Sequence, residues 1–191
     1  LKEWYQKLLD EYHKWLSYQK KWKEERNHSL QSLEFPFSYR EGQRKMVSSV
    51  YHAIGASRQI FIQAPTGVGK TMSTIFPAVR AVGEGKGETI FYLTAKTITR
   101  TVAQEAFEVL REKGMKYKVV TITAKEKLCF MDETKCDPVH CPYARGHFDR
   151  VNDAVYELWT TKSRYDRETI REQAEKWQVC PFEMCLDLSI W

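Results

Sequence analysis

With 191 residues, 42% of them hydrophobic and 29% charged, the chain is long enough for one domain and an appendage and apolar enough to bury a core. That composition excludes a disordered or fibrous protein, and the absence of any run of about 18 apolar residues excludes an α-helical membrane span. The net charge of +5 is unevenly placed: residues 35–100 carry nine Lys or Arg against three Asp or Glu, which suits a polyanionic partner or ATP, with plain surface charge as the alternative.

The start, "LKEWYQKLLDEYHKW", carries acids throughout and is no secretory signal. It lacks an initiating Met, so the chain is expected to be part of a longer protein. Trp4, Tyr5, Leu8, Leu9, Tyr12, Trp15, Leu16 and Trp22 recur at spacings of three and four, which predicts one long amphipathic helix over about the first 25 residues. Its aromatic stripe reads as core packing or as a docking face. "RNHSLQSLEFPFS", with Pro36, reads as a linker.

From Arg40 the predicted elements alternate. "EGQRKMVSSVYHAIGAS" places Met46, Val47, Val50, Tyr51 and Ile54 on one helical face, stopped by Gly55. "RQIFIQA" reads as a strand, "TMSTIFPAVRAV" as a helix bent at Pro77, "TIFYLTA" as a second strand, "TITRTVAQEAFEVLREKG" as a helix, and "YKVVTIT" as a third strand. Such alternation predicts βαβ units and a parallel sheet. Beyond Lys127 the rhythm stops, and only "DRVNDAVYELWT" and "SRYDRETIREQAEKW" read as helices.

"QAPTGVGKT" joins the first strand to the next helix and has the form of a phosphate-binding loop, with Ala64 where the usual pattern has Gly. Ala is small enough for the turn if its φ stays negative. Gly67 and Gly69 let the amides of Ala64, Pro65, Thr66, Gly67, Val68 and Gly69 curl into a concave nest (Pro65 contributing shape alone). A helix N-terminus stands behind that nest. Lys70 reaches the β- and γ-phosphates and the Thr71 hydroxyl takes Mg²⁺, so ATP and Mg²⁺ are the expected ligands, with Lys70 and Thr71 as catalytic residues.

The A-x-x-G-x-G-K-T form resembles the first helicase motif of superfamily 2. "FSYREGQRKMV" resembles that superfamily's adenine-reading element, which implies that Gln43 pairs the adenine edge with Arg40 beside it. "FYLTAKTITR" is similar to the next motif, which implies that Thr94, Lys96 and Thr97 hold the backbone of single-stranded DNA. In that reading Thr97 serves as the N-cap of the following helix.

All five cysteines, at 129, 136, 141, 180 and 185, lie beyond residue 128, and none form C-x-x-C, which argues against a zinc ribbon. A cytosolic nucleotide-binding protein makes disulfides a poor explanation. Thiolates held in loops suit an iron–sulfur cluster. The order phosphate loop, "TAKT", "KLC", "KC", "HCP", "CPF" closely resembles the iron–sulfur DNA helicases of the XPD/DinG family, in a bacterial branch with an upstream nuclease-like domain. That resemblance implies Cys129, Cys136, Cys141 and Cys180 as ligands of a 4Fe–4S cluster. It leaves Cys185 to pack and His140 as a possible substitute ligand.

The expected fold is therefore α/β: a partial RecA-like parallel sheet with helices on both faces, an inserted iron–sulfur domain of loops and helices, and an N-terminal amphipathic helix. The expected boundaries are a connector helix and linker at 1–34, the first part of motor domain 1 at 35–127, and the cluster domain at 128–191. The resemblance further implies single-stranded DNA and duplex junctions as partners, together with the upstream nuclease-like domain and a second motor domain of the same full-length chain. It also implies a cytoplasmic, nucleoid-associated place and no membrane. No acidic DEAH-type motif follows residue 128 on a predicted strand, and Asp132-Glu133 lies among the cysteines. The 191 residues alone are expected to bind nucleotide weakly and not to turn it over. Arg145, Arg150, Arg164, Arg167 and Arg171 are expected along the DNA phosphates. Two other classes fit less of the sequence: a P-loop kinase or transporter-type ATPase with a zinc-stabilised insertion, and an ATP-independent nucleic-acid-binding or docking module.

Overall fold

The computed structural model describes residues 1–190, which form two compact units. One comprises Gln19–Tyr117, and the other Leu1–Tyr18 with the chain from Lys118 onward. The long first helix, α1 (Lys2–Gln31), gives its beginning to the second unit and its end to the first.

In the unit of residues 19–117, α2 (Gln43–Gly55) packs along α3 (Lys70–Gly83), and α3 along α4 (Thr97–Glu112). The reason lies in spacing. Met72, Ile75, Phe76, Val79 and Val82 recur every three or four residues on α3 and are all buried, as are Met46, Val47 and Val50 on α2. Each full burial of this kind stabilises by roughly 1.5–3 kcal/mol. Pro77 sits inside α3 without ending it.

The polar stretch expected to be a linker is partly helix. α1 runs to Gln31 and drives Leu30 and Leu33 into the core of this unit, where they are buried. Gly83 is the reason Leu30 fits, because a Cβ there would stand 2.6 Å from Leu30 Cβ and 3.1 Å from the Gln31 amide nitrogen. Gly83→Ala is expected to lower the urea unfolding free energy by about 3 kcal/mol through overpacking against backbone. Gly87→Ala, where an added Cβ meets nothing within 4 Å, is the matched control, expected to move it by less than about 0.5 kcal/mol.

The strands expected at 58–64 and 89–95 do not form. Among the described residues neither Gln59–Gln63 nor Thr89–Leu93 makes a backbone–backbone hydrogen bond. Their alternate apolar side chains stand open, with Phe61 93%, Phe91 74% and Leu93 89% exposed. A strand exists only through a partner, and none pairs with these two segments among the described residues. Of the third expected strand only β1 (Val119–Val120) forms, paired in parallel with β2 (Arg164–Tyr165).

Around that pair the other unit is helical: α5 (Lys125–Leu128), α6 (His147–Thr161), α7 (Arg167–Trp177) and α8 (Pro181–Ile190). The helix expected to begin at Ser163 begins instead at Arg167. Residues 164–165 are extended, and the Asp166 carboxylate caps α7 by accepting the Thr169 amide at 3.0 Å. Leu128, Val151, Val155, Leu158, Tyr165, Ile170, Met184 and Leu188 form the core, with Trp15 and Tyr18 of α1 packed against it. Lys118 threads this core. Its ammonium donates to the carbonyls of Trp159 and Lys162 and lies 4.5 Å from the Trp159 ring centre, and burial pushes its pKa down to about 8.

Glu157 ties α6 to α7. It accepts from Trp177 Nε1 at 2.6 Å, from Gln173 Nε2 at 3.1 Å and from Lys176. These donors, Lys176 foremost, hold its carboxyl down to about 2, from an ordinary 4.5. A depressed carboxylate contributes stability fully above its unfolded pKa and loses it as pH falls from about 4.5 towards 2. Glu157→Gln is therefore expected to flatten the acid limb of stability in that window. Urea midpoints measured at pH 7 and between about pH 4.5 and pH 3 check this.

Candidate functional site

The phosphate-type loop lies between the open segment 59–63 and α3. Gly67 and Gly69 take φ of 84° and 76°, the left-handed region that lets successive amides face one concavity. Gly69 is the N-cap of α3 and Lys70 its first residue, so the unpaired first-turn N–H groups open onto the loop. The only non-glycine residues with positive φ among the described residues are Ser57 and Gln178, so Ala64 keeps an ordinary conformation. The turn does not need its first glycine.

The two residues of the upstream element come to this loop. Arg40 Nη1 donates to the Gly67 carbonyl, and Gln43 Oε1 accepts the Arg40 amide at 3.0 Å. Gln43 is only 4% exposed, and a Cβ at Gly69 would stand 2.5 Å from its Nε2. Lys70 Nζ rests 2.8 Å from the Ala64 carbonyl, inside the loop it serves. Thr71 is partly buried behind it.

At the start of α4, Thr94 Oγ1 donates to the Lys96 carbonyl at 2.8 Å, while Lys96 and Thr97 are exposed. The expected cap is displaced by one residue. Lys96, with an extended backbone, occupies the cap position, and Thr97 is already helical. The Thr97 side chain forms no cap because its backbone has entered the helix.

Four cysteines from three parts of the chain line one cavity: Cys129 at the end of α5, Cys136 and Cys141 in the following loop, and Cys180 just before α8. Phe130, Tyr143 and Phe182 wall it. Lys125, one helical turn before Cys129, also lines it, and a hydrogen bond to Cys136 raises its pKa. Burial pushes the Cys180 thiol up, opposed by the amides of Glu183 and Phe182, which point to its sulfur from the start of α8. Cys185 is wholly buried in the core, and His140 turns to Asp137, at 2.8 Å, and does not line the cavity.

No three His, Cys, Asp or Glu among the described residues form a group able to hold one metal ion. The thiolates of a four-iron cluster ride on the corners of the cluster rather than around a point, so a cluster asks for four cysteines around a cavity and not for a tight triad. Cys129, Cys136, Cys141 and Cys180 supply four such donors around one cavity.

The cysteine loops are held by arginines. Arg171 Nη1 donates to the carbonyls of Leu128 at 2.7 Å and Cys129 at 3.0 Å, with its guanidinium over the Phe130 ring. Arg145 Nε donates to the Pro138 carbonyl at 2.9 Å, and Arg150 to the carbonyls of Trp177 and Gln178 at 3.0 and 2.6 Å. Arg164 pairs with Asp166 at 2.9 Å. Three of the five arginines expected along DNA phosphates are thus engaged by backbone carbonyls and a fourth by a carboxylate. The sequence does not mark the Arg171–Cys129 and Arg150–Gln178 contacts, since each arginine meets its partner far along the chain. Lys125 was equally silent, though its place one turn before a cysteine is a usable signal.

The DEAD/DEAH box helicase family matches residues 40–143, more than half of the chain and including both the phosphate loop and the first three cysteines. The chain belongs to the DEAD/DEAH box helicase family. A protein named a probable ATP-dependent helicase, from Methanocaldococcus jannaschii, is 29% identical over 123 residues, covering 62% of this chain. This helicase chain spans only 18% of that relative's length. No solved structure matches it significantly. No helix among the described residues is long and apolar enough to cross a membrane.

Proposed function

We propose that this chain is the early part of the motor of an XPD/DinG-type DNA helicase, comprising the ATP-binding half of motor domain 1 and a 4Fe–4S cluster domain. The observation that carries the reading is the convergence of Cys129, Cys136, Cys141 and Cys180 on one cavity in a chain that also holds a helicase phosphate loop.

In this reading the amides of the loop and the first turn of α3 receive the phosphates of ATP, Lys70 leaves the Ala64 carbonyl for the β- and γ-oxygens, and Thr71 takes Mg²⁺. Gln43 and Arg40, packed against the loop, read the adenine side. Thr94, Lys96 and Thr97 hold single-stranded DNA. Cys129, Cys136, Cys141 and Cys180 hold the cluster, which supplies a fourfold cross-link and a redox-active centre. Lys125 offsets the charge of the thiolates, while Arg145, Arg150 and Arg171 fix the loops that carry them. The acidic residue that ligates Mg²⁺ through water, and the arginine fingers, belong to the parts of the motor outside this chain. The upstream nuclease-like domain, duplex junctions as substrate and a place on the nucleoid follow from the same reading.

Strand separation by the full-length protein is the test. The wild type is expected to unwind a tailed DNA duplex in ATP, and Lys70→Ala to lose unwinding while still binding DNA. DNA affinity that ignores both ATP and Lys70→Ala, with no unwinding by the wild type, would establish an ATP-independent binding module instead.

A further inference from the structure

His147 is buried, at 4% exposure, in the first turn of α6. The Cys180 backbone N–H donates to its Nδ1 at 3.1 Å. That bond places the proton of the neutral ring on Nε2, and Nε2 is buried with no hydrogen-bond partner among the described residues. An imidazole with one unpaired buried N–H is a poorer core residue than a leucine. What it supplies instead is the acceptor for Cys180.

The position of Cys180 gives that acceptor a purpose. The Cys180 carbonyl accepts the Met184 amide at 3.0 Å, so α8 starts from this residue, and its sulfur faces the amides of Phe182 and Glu183. Preceding it, Arg150 from the same turn of α6 holds the carbonyls of Trp177 and Gln178. Residues 177–180 are therefore grasped at three backbone atoms by one helical turn. Cys180 is also the cavity cysteine most distant in sequence, 39 positions beyond Cys141, so no local turn brings it there.

We propose that His147 is a positioning residue for the fourth thiolate: through Nδ1 it holds the Cys180 amide and keeps the Cys180 sulfur turned into the cavity. The inference rests on the cluster reading above. Residues that orient metal ligands from behind commonly change metal retention by about 10–100-fold when removed.

The test uses the whole chain, loaded without oxygen with ferrous iron and sulfide, with iron release to a chelator as the readout and far-UV circular dichroism as the check on folding. His147→Leu, which lacks the acceptor, is expected to release iron at least about tenfold faster than wild type. His147→Asn, whose Oδ1 stands near the Nδ1 position, is expected to stay within about threefold, and His147→Gln, whose oxygen lies nearer the Nε2 position, to behave like Leu. Should the Leu variant fail to fold, the Asn and Gln pair decides. Equal rates for wild type and Leu, or for Asn and Gln, overturn the role of His147 while leaving the cluster standing. A wild-type chain that takes up no iron overturns both.

Discussion

Cys180→Ala is expected to drop bound iron from about four atoms per chain to below about one, whereas Cys185→Ala is expected to leave the iron content unchanged. The two cysteines sit five positions apart and differ only in surroundings. Cys180 precedes α8 and lines the cavity with Cys129, Cys136 and Cys141, while Cys185 lies one turn further on, fully buried among Val155, Leu158, Tyr165 and Met184. In the proposed cluster reading, removing the first deletes one of four ligands and would leave an open cluster corner. Removing the second deletes one buried atom, at about 1 kcal/mol of stability. Iron and acid-labile sulfide analysis, paired with urea unfolding, separates the two. A Cys185→Ala chain that loses iron, or a Cys180→Ala chain that keeps it, reverses the assignment.

Gly69→Ala in the full-length protein is expected to weaken ATP binding by at least about tenfold. Two independent costs act at this residue. Its φ of 76° strains any side chain, by roughly 1–2 kcal/mol, and the added Cβ would meet Gln43 Nε2 at 2.5 Å. Gln43 cannot yield freely, because it is buried and bonded to the Arg40 amide. The change therefore disturbs the phosphate-type loop together with Gln43 and Arg40. Lys70→Ala is expected to lower ATP turnover by about 100-fold by removing a charge from the developing γ-phosphate. Gly67→Ala is the informative comparison, since it bears the same backbone strain with nothing within 4 Å of its Cβ, and its loss is expected to be smaller than that of Gly69→Ala. Nucleotide binding by calorimetry and steady-state turnover measure these effects.

What could be read directly from the sequence was local. The loop at 64–71, its glycines at φ above zero, the start of α3 at Lys70 and the stop of α2 at Gly55 all follow from residues within one or two turns of each other. The burial of α3 followed from its period. The segments 58–64 and 89–95 have the composition of strands and yet remain unpaired among the described residues, because pairing is a property of two segments and composition describes only one. The polar composition from Arg26 onward reads as a linker and hides Leu30 and Leu33, whose burial depends on Gly83, some fifty residues away. Periodicity does not announce α8, although Pro181 at its first position is a start signal.

The cysteine cavity divides in the same way. The family resemblance groups Cys129, Cys136, Cys141 and Cys180, and these four line one cavity. The residues that hold it were not legible. Arg171 reaches the Cys129 carbonyl across 42 positions and His147 reaches the Cys180 amide across 33. Charge alone suggested that such arginines face DNA, but a guanidinium with five donors serves backbone carbonyls equally well, and only the fold decides between the two.

The most direct test of the cluster reading is the iron, acid-labile sulfide and zinc content of the wild-type chain purified in the absence of oxygen. About four iron and four sulfide per chain, with negligible zinc, is the predicted result. One zinc per chain, or no metal from a folded chain supplied with iron and sulfide, contradicts it.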